Sequence, residues 1–178
     1  MDKHELIQLL QECQAIQFGR FVLTSGAVSD YYIDIKKASS TPQVLQHIAQ
    51  MIAPHTKRYD VLAGMELGAV PLVVAVALET EIPYTIIRKE KRDHGTSKQL
   101  EGTDVQGKKV CIIEDVTTSG GSVLHAINIL RRHQAAVDKV ISVVDRNGGA
   151  REKVEDVHIT FVSLLTIEDI LKEKGNDE

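Results

Sequence analysis

From residue 60 onward, short apolar runs recur along the chain: Val61-Leu62-Ala63, Tyr84-Thr85-Ile86-Ile87, Val110-Cys111-Ile112-Ile113, Val140-Ile141-Ser142-Val143-Val144 and Ile159 to Leu165. They are apolar throughout rather than alternating. A strand with one wet face alternates, whereas a strand covered on both faces does not. Helical stretches separate them, Gly68 to Leu78 and about Gly120 to His133, and a short helix follows the last run. This order predicts an α/β fold, an open and mostly parallel sheet flanked by helices. With aromatics at 4% and no Trp, the core must be built from Val, Ile, Leu and Ala.

The first 60 residues have a different rhythm. Leu6, Ile7, Leu9, Leu10 and Cys13 give residues 2–16 a helical apolar face, and Asp2 with Glu5 resembles a capping box. Phe18 to Leu23 leads into a turn-like Thr24-Ser25-Gly26. Tyr32-Ile33-Asp34-Ile35-Lys36 then alternates as a half-buried strand does. Thr41-Pro42 starts a helix whose apolar face is Val44, Leu45, Ile48, Met51 and Ile52.

At 178 residues the chain fits one domain, 1–178. Apolar residues at 43% and charged residues at 26% exclude bulk disorder. A net charge of −4 provides no global basic field for nucleic acid or anionic lipid. Cys13 and Cys111 are far apart and belong to no CxxC, so both read as small buried hydrophobes. The longest apolar run, Ala69 to Leu78, contains Pro71 and is too short for a bilayer, and the N-terminus lacks a secretory pattern. A soluble, cytoplasmic protein is expected, with no nucleic-acid or membrane partner. Residues 88–107 are polar and aperiodic, and read as a long functional loop.

Chemistry concentrates in Val110-Cys111-Ile112-Ile113-Glu114-Asp115-Val116-Thr117-Thr118-Ser119-Gly120-Gly121-Ser122. A buried strand ends in two carboxylates, small hydroxyl and glycine residues follow, and a helix begins. Ligands of open α/β sheets bind at the carboxyl ends of strands. Free N–H groups at a helix start favour a phosphate, and the hydroxyls of Thr117, Thr118 and Ser122 can add hydrogen bonds. Carboxylates beside a phosphate make sense as acceptors for sugar hydroxyls on the same ligand. The ligand suggested is a sugar phosphate, its phosphate in the turn and its diol on Glu114 and Asp115. A plain helix cap would need only one of these residues. Gly102 to Lys109 imitates a Walker A loop, but it precedes a strand and has Lys109 where Ser or Thr belongs.

Ile112 to Gly120 resembles the signature with which type I phosphoribosyltransferases bind 5-phosphoribosyl 1-diphosphate. Arg88-Lys89-Glu90-Lys91-Arg92-Asp93-His94-Gly95 is similar to the loop that closes on the donor in orotate phosphoribosyltransferases, with Arg92 where most members have Lys. Asp145-Arg146-Asn147-Gly148-Gly149-Ala150 resembles that family's orotate-carboxylate segment. Read without the family, Arg146 is equally an exposed arginine paired with Asp145. Phe21 to Gly26, with Ser29, Tyr32 and Asp34, resembles the N-terminal hood, and Gly64 to Pro71 the diphosphate loop. Thr24 and Gly68 stand where some members carry lysine. Glu66 by itself reads as a solvent-facing acid at a helix start.

The resemblance implies a hood of about 1–40 over a core of about 41–170, and conversion of orotate and 5-phosphoribosyl 1-diphosphate to orotidine 5′-monophosphate and diphosphate in pyrimidine biosynthesis. It implies donor contacts from Arg88, Lys89, Arg92, His94, Glu114, Asp115 and Val116 through Thr117, Thr118, Ser119, Gly120, Gly121 and Ser122. Lys89, His94 and Asp115 are the catalytic residues it implies, and Thr118 and Arg146 the orotate contacts. Magnesium is expected to arrive mainly on the diphosphate, with no protein metal site of its own. A homodimer with shared active sites is expected, Lys89 reaching the neighbour. By sequence alone, His94 reads equally as an ordinary surface histidine. The alternatives are a phosphoribosyltransferase for another base, or a non-catalytic sensor of the donor.

Overall fold

The computed structural model describes residues 2–22, 28–89 and 99–174. The first helix, α1 (Lys3–Glu12), is capped by Asp2, whose carboxylate accepts from the Glu5 N–H at 2.9 Å. Strands β1 (Ile16–Val22) and β2 (Val28–Ile33) pair antiparallel as a separate ribbon. The expected strand at 32–36 is half right. It stops at Ile33, and Asp34 caps a short helix, α2 (Ile35–Ser39), by accepting from the Lys36 N–H at 3.1 Å. Helix α3 (Pro42–Ile52) starts at its proline as expected.

The main sheet follows the apolar runs: β3 (Val61–Met65), β4 (Tyr84–Ile87), β6 (Lys109–Thr117), β7 (Ala136–Asp145) and β8 (Thr160–Thr166). Between them lie α4 (Val70–Thr80) and α5 (Gly121–Arg132), and α7 (Ile167–Lys174) ends the described chain. Helix α4 begins two residues later than expected because Pro71 fits a first turn, which leaves Gly68 in the preceding loop. Two elements were not foreseen. The stretch 88–107 is not all loop, since β5 (Leu100–Gly102) adds an antiparallel edge strand against β4. A one-and-a-half-turn helix, α6 (Ala150–Glu155), follows the glycine turn after β7. The Walker-like stretch is only the connection from β5 to β6.

The strand order is β5-β4-β3-β6-β7-β8, parallel except at β5. Along β6, successive residues go to opposite faces. Cys111 and Ile113 join the cluster under α1, α2, α3, α4 and α7, whereas Val110 and Ile112 join the one under α5 and α6. This alternation into two dry layers explains why the run carries no polar residue before Glu114. Cys111 is fully buried, but Cys13 is only partly so, and both are free thiols. No helix among the described residues is long and apolar enough to cross a membrane.

The chain leaves β3 toward β4 and leaves β6 toward β7, on the other side. The two strands are neighbours, so a crevice opens between their carboxyl ends. The hood is anchored beside it: Leu6, Ile7 and Leu10 of α1 and Ile35 of α2 are buried in the same cluster as the sheet. Truncating Leu10 to Ala should lower unfolding free energy by roughly 2–5 kcal/mol, read from a denaturant titration.

Candidate active site

The crevice between β3 and β6 is a cavity of about 340 Å³. It is lined by Met65, Glu66, Leu67 and Gly68 after β3, by Lys89 after β4, by Glu114, Asp115 and Val116 of β6, by Ser122 of α5, and by Lys36 of α2. A recess of about 260 Å³ adjoins it, formed by Val116 to Val123, and the two share Val116 and Ser122. A ligand can therefore lie across both.

The recess is built from backbone. Helix α5 is entered through Gly120 in the left-handed conformation, φ 78°, so no side chain caps it. Its first-turn N–H groups have no intrahelical acceptor and the positive end of the helix dipole faces the recess. Thr118, Ser119, Gly121 and Ser122 are exposed here. Thr117 departs from expectation. Its side chain turns into the sheet, where its hydroxyl lies 3.3 Å from Ser142 Oγ and 3.3 Å from Asp145 Oδ1, so it braces the turn instead of facing the recess.

In the cavity, Glu114 is 7% exposed and its Oε2 has no hydrogen-bond partner among the described residues. Burial first, and the adjacent Asp115 second, push the Glu114 carboxyl well above its ordinary value, while Lys89 opposes them. Asp115 leans over the loop after β3. A Cβ on Gly68 would lie 2.0 Å from Asp115 Oδ2, so the glycine makes room for the carboxylate. Glu66 is not a free surface acid. Its Oε1 accepts from the Lys89 N–H at 2.9 Å, and its Oε2 lies 3.9 Å from the Arg88 guanidinium. It thereby holds the start of the segment after β4, with Lys89 exposed at the cavity rim.

The turn after β7 packs on the recess. Arg146 N–H donates to Thr117 O at 2.9 Å and Ala150 N–H to Thr118 O at 3.1 Å. A Cβ on Gly148 would lie 2.8 Å from the Thr118 carbonyl oxygen, so this contact needs glycine. Arg146 is not paired with Asp145. That carboxylate is buried and accepts from the Asn147 N–H at 3.0 Å. The Arg146 guanidinium instead stacks over the Tyr31 ring of β2 at 5.3 Å, and its Nε is buried without a partner among the described residues. A planar group of donors thus stands ready between hood and core.

A family model, Phosphoribosyl transferase domain, matches residues 35–175. The orotate phosphoribosyltransferase of Pyrococcus abyssi is 45% identical over 177 residues, 97% of each chain. The chain belongs to the orotate phosphoribosyltransferase family. The crystal structure of the family member from Aeropyrum pernix superposes with a TM-score of 0.83 at 30% identity, over 96% of this chain and 98% of that one. The Mycobacterium tuberculosis orotate phosphoribosyltransferase in complex with 5-phospho-alpha-D-ribosyl 1-diphosphate gives 0.80 at 28% identity, over 96% and 99%.

Set against this family, the described structure brings together Glu114, Asp115, Val116, Lys89 and the Thr118–Ser122 turn, with Arg88 behind them. Arg92, His94 and Thr24 lie outside the described residues. Reading the sequence missed Lys36, Tyr31, Asp145 and Gly148. The Asp-Arg pair and the double glycine were visible signals for the last two, whereas nothing local sets Lys36 apart from Lys37.

The Glu114 shift has a signed consequence. As pH rises through the ordinary carboxyl range, the unfolded chain gives up this proton while the folded chain keeps it, so folding weakens until the folded group ionises. Glu114→Gln removes the effect. Melting curves between about pH 4 and about pH 8 should show the variant gaining on the parent as pH rises, with the smallest gap at the acid end.

Proposed function

We propose that the chain transfers the 5-phosphoribosyl group from 5-phosphoribosyl 1-diphosphate to orotate, releasing diphosphate and forming orotidine 5′-monophosphate. The observation that carries this reading is the joined recess and cavity: an uncapped helix start for a phosphate, and adjacent carboxyls, one buried and one half-buried, for a diol. The 5′-phosphate sits on the Thr118–Ser122 turn, which contributes binding energy remote from the reacting bond. The ribose hydroxyls meet Glu114 and Asp115, giving the orphaned Oε2 its partner.

The bond between C1 and the diphosphate oxygen lengthens before a ring nitrogen of orotate attacks C1. Positive charge grows on the sugar and negative charge on the leaving group. Asp115, on the sugar side, stabilises the first. Arg88, Lys89 and Arg92 stabilise the second, and His94 delivers a proton to it. Magnesium, brought mainly on the diphosphate, would supply further charge neutralisation there, and Glu114 and Asp115 are the protein groups that would hold it. Arg146 grips the orotate carboxylate as a fork, and Thr118 orients the base. The working unit is a homodimer in which Lys89 serves the neighbouring site. The setting is cytoplasmic pyrimidine synthesis.

Loss of orotate absorbance on adding donor and magnesium tests the reading, with uracil, adenine and hypoxanthine run in parallel. Turnover of a purine but not of orotate overturns it. Arg146→Ala should raise the orotate KM roughly ten- to hundredfold, the worth of a charged hydrogen bond, with the donor KM near the parent's. Lys89→Ala should lower kcat without shifting the melting temperature, and a fully active variant removes the residue from the mechanism.

A further inference from the structure

The loop after β3 lines the cavity yet carries no cation between Met65 and Val70. A side chain at Gly68 would have to push the Asp115 carboxylate aside, since its Oδ2 lies 2.0 Å from where a Cβ would be. Glu66 in the same loop adds negative charge, and it is already engaged with the Lys89 amide. A leaving diphosphate in this cavity thus faces three carboxylates, Glu66, Glu114 and Asp115, and needs cations from elsewhere.

One comes from the N-terminal layer. Lys36 lies in the first turn of α2 and lines the cavity opposite the sheet. The Asp34 cap fixes the start of that helix, and buried Ile35 and Ala38 hold it to the core, so the base of the lysine is well placed. Its ammonium is 3.4 Å from Asp34 Oδ1 with the side chain 58% exposed. Such an exposed pair is weak and readily exchanged for a more highly charged partner. The neighbouring Lys37 turns away and donates to Gln14 Oε1 at 2.9 Å.

We propose that Lys36 is a further donor-binding residue: its ammonium holds an oxygen of the diphosphate, supplying from the hood the cation that the loop after β3 lacks. The proposal rests on the transferase reading above. Its test is the binding of magnesium diphosphate to the parent, Lys36→Ala and Lys36→Arg, measured by titration calorimetry alongside steady-state kinetics. The alanine variant should bind diphosphate roughly ten- to hundredfold more weakly and raise the donor KM in step, with the orotate KM within about twofold of the parent's. The arginine variant keeps the charge and should recover most of the loss. An alanine variant that binds diphosphate like the parent overturns the assignment, as does a loss that arginine fails to restore. A parent that binds no diphosphate and consumes no orotate overturns the transferase reading along with it, and that outcome is distinct from the other two.

Discussion

A carboxyl group buried at the end of an apolar strand is expensive to leave unpartnered, and the organisation of this site follows from where that group is put. Glu114 closes the dry part of β6. One residue earlier, Ile113 is fully buried in the core, and one residue later, Asp115 is half-buried at the cavity. Glu114 is therefore a position at which the sheet still strips water from a side chain and which also lines the crevice. Among the described residues its Oε2 has no hydrogen-bond partner. On the proposed reading, a sugar hydroxyl of the donor supplies that bond. The same burial that makes the site attractive to a diol costs stability in its absence.

The two ends of the ligand are read by turns that are not independent. The phosphate turn follows β6 and the arginine turn follows β7. These strands are paired in register to their last residues, Thr117 opposite Asp145. The buried hydroxyl of Thr117 lies between Ser142 and Asp145, and the Asp145 carboxylate in turn holds the Asn147 amide. Backbone bonds from Arg146 and Ala150 to Thr117 and Thr118 lock one turn onto the other. A shift in one is transmitted by packed groups with little slack. Spacing between phosphate and acceptor is thus set by the sheet and not by either loop.

What could be read in the sequence, and what could not, divides along physical lines. The strands were legible because two-sided burial imposes an apolar run, and the phosphate turn because adjacent acids and six small residues exceed what a cap requires. The Tyr32–Lys36 stretch misled because Ile33 and Ile35 satisfy a strand's alternation as well as a helix entry, and the Asp34 cap on the Lys36 N–H marks the change. Helix α6 buries just Ala150 and Val154, too few positions to show a period. Strand β5 is three residues of Leu-Glu-Gly, whose pairing comes from its neighbour and not from its own composition. Thr117 was misread in its direction, because β6 runs four residues past the expected end at Ile113 and keeps Thr117 within the sheet, where its side chain is buried.

The hood contributes chemistry as well as cover. Tyr31, from β2, supports the Arg146 guanidinium from the side away from the core, where a flat aromatic face can hold a cation without consuming its hydrogen-bond donors. An acidic partner in that place would have neutralised the arginine and filled the fork that a carboxylate substrate needs. The Asp145 carboxylate is near enough in sequence to do this, but it is turned inward to Thr117 and Asn147 and so kept from it. Where Arg146 takes the acceptor's carboxylate, as proposed, its placement rests on two arrangements: a buried aspartate satisfied by its own turn, and a hood ribbon held against the core through α1 and α2. Loosening either one leaves Arg146 charged but unplaced, and an unplaced arginine attracts any anion.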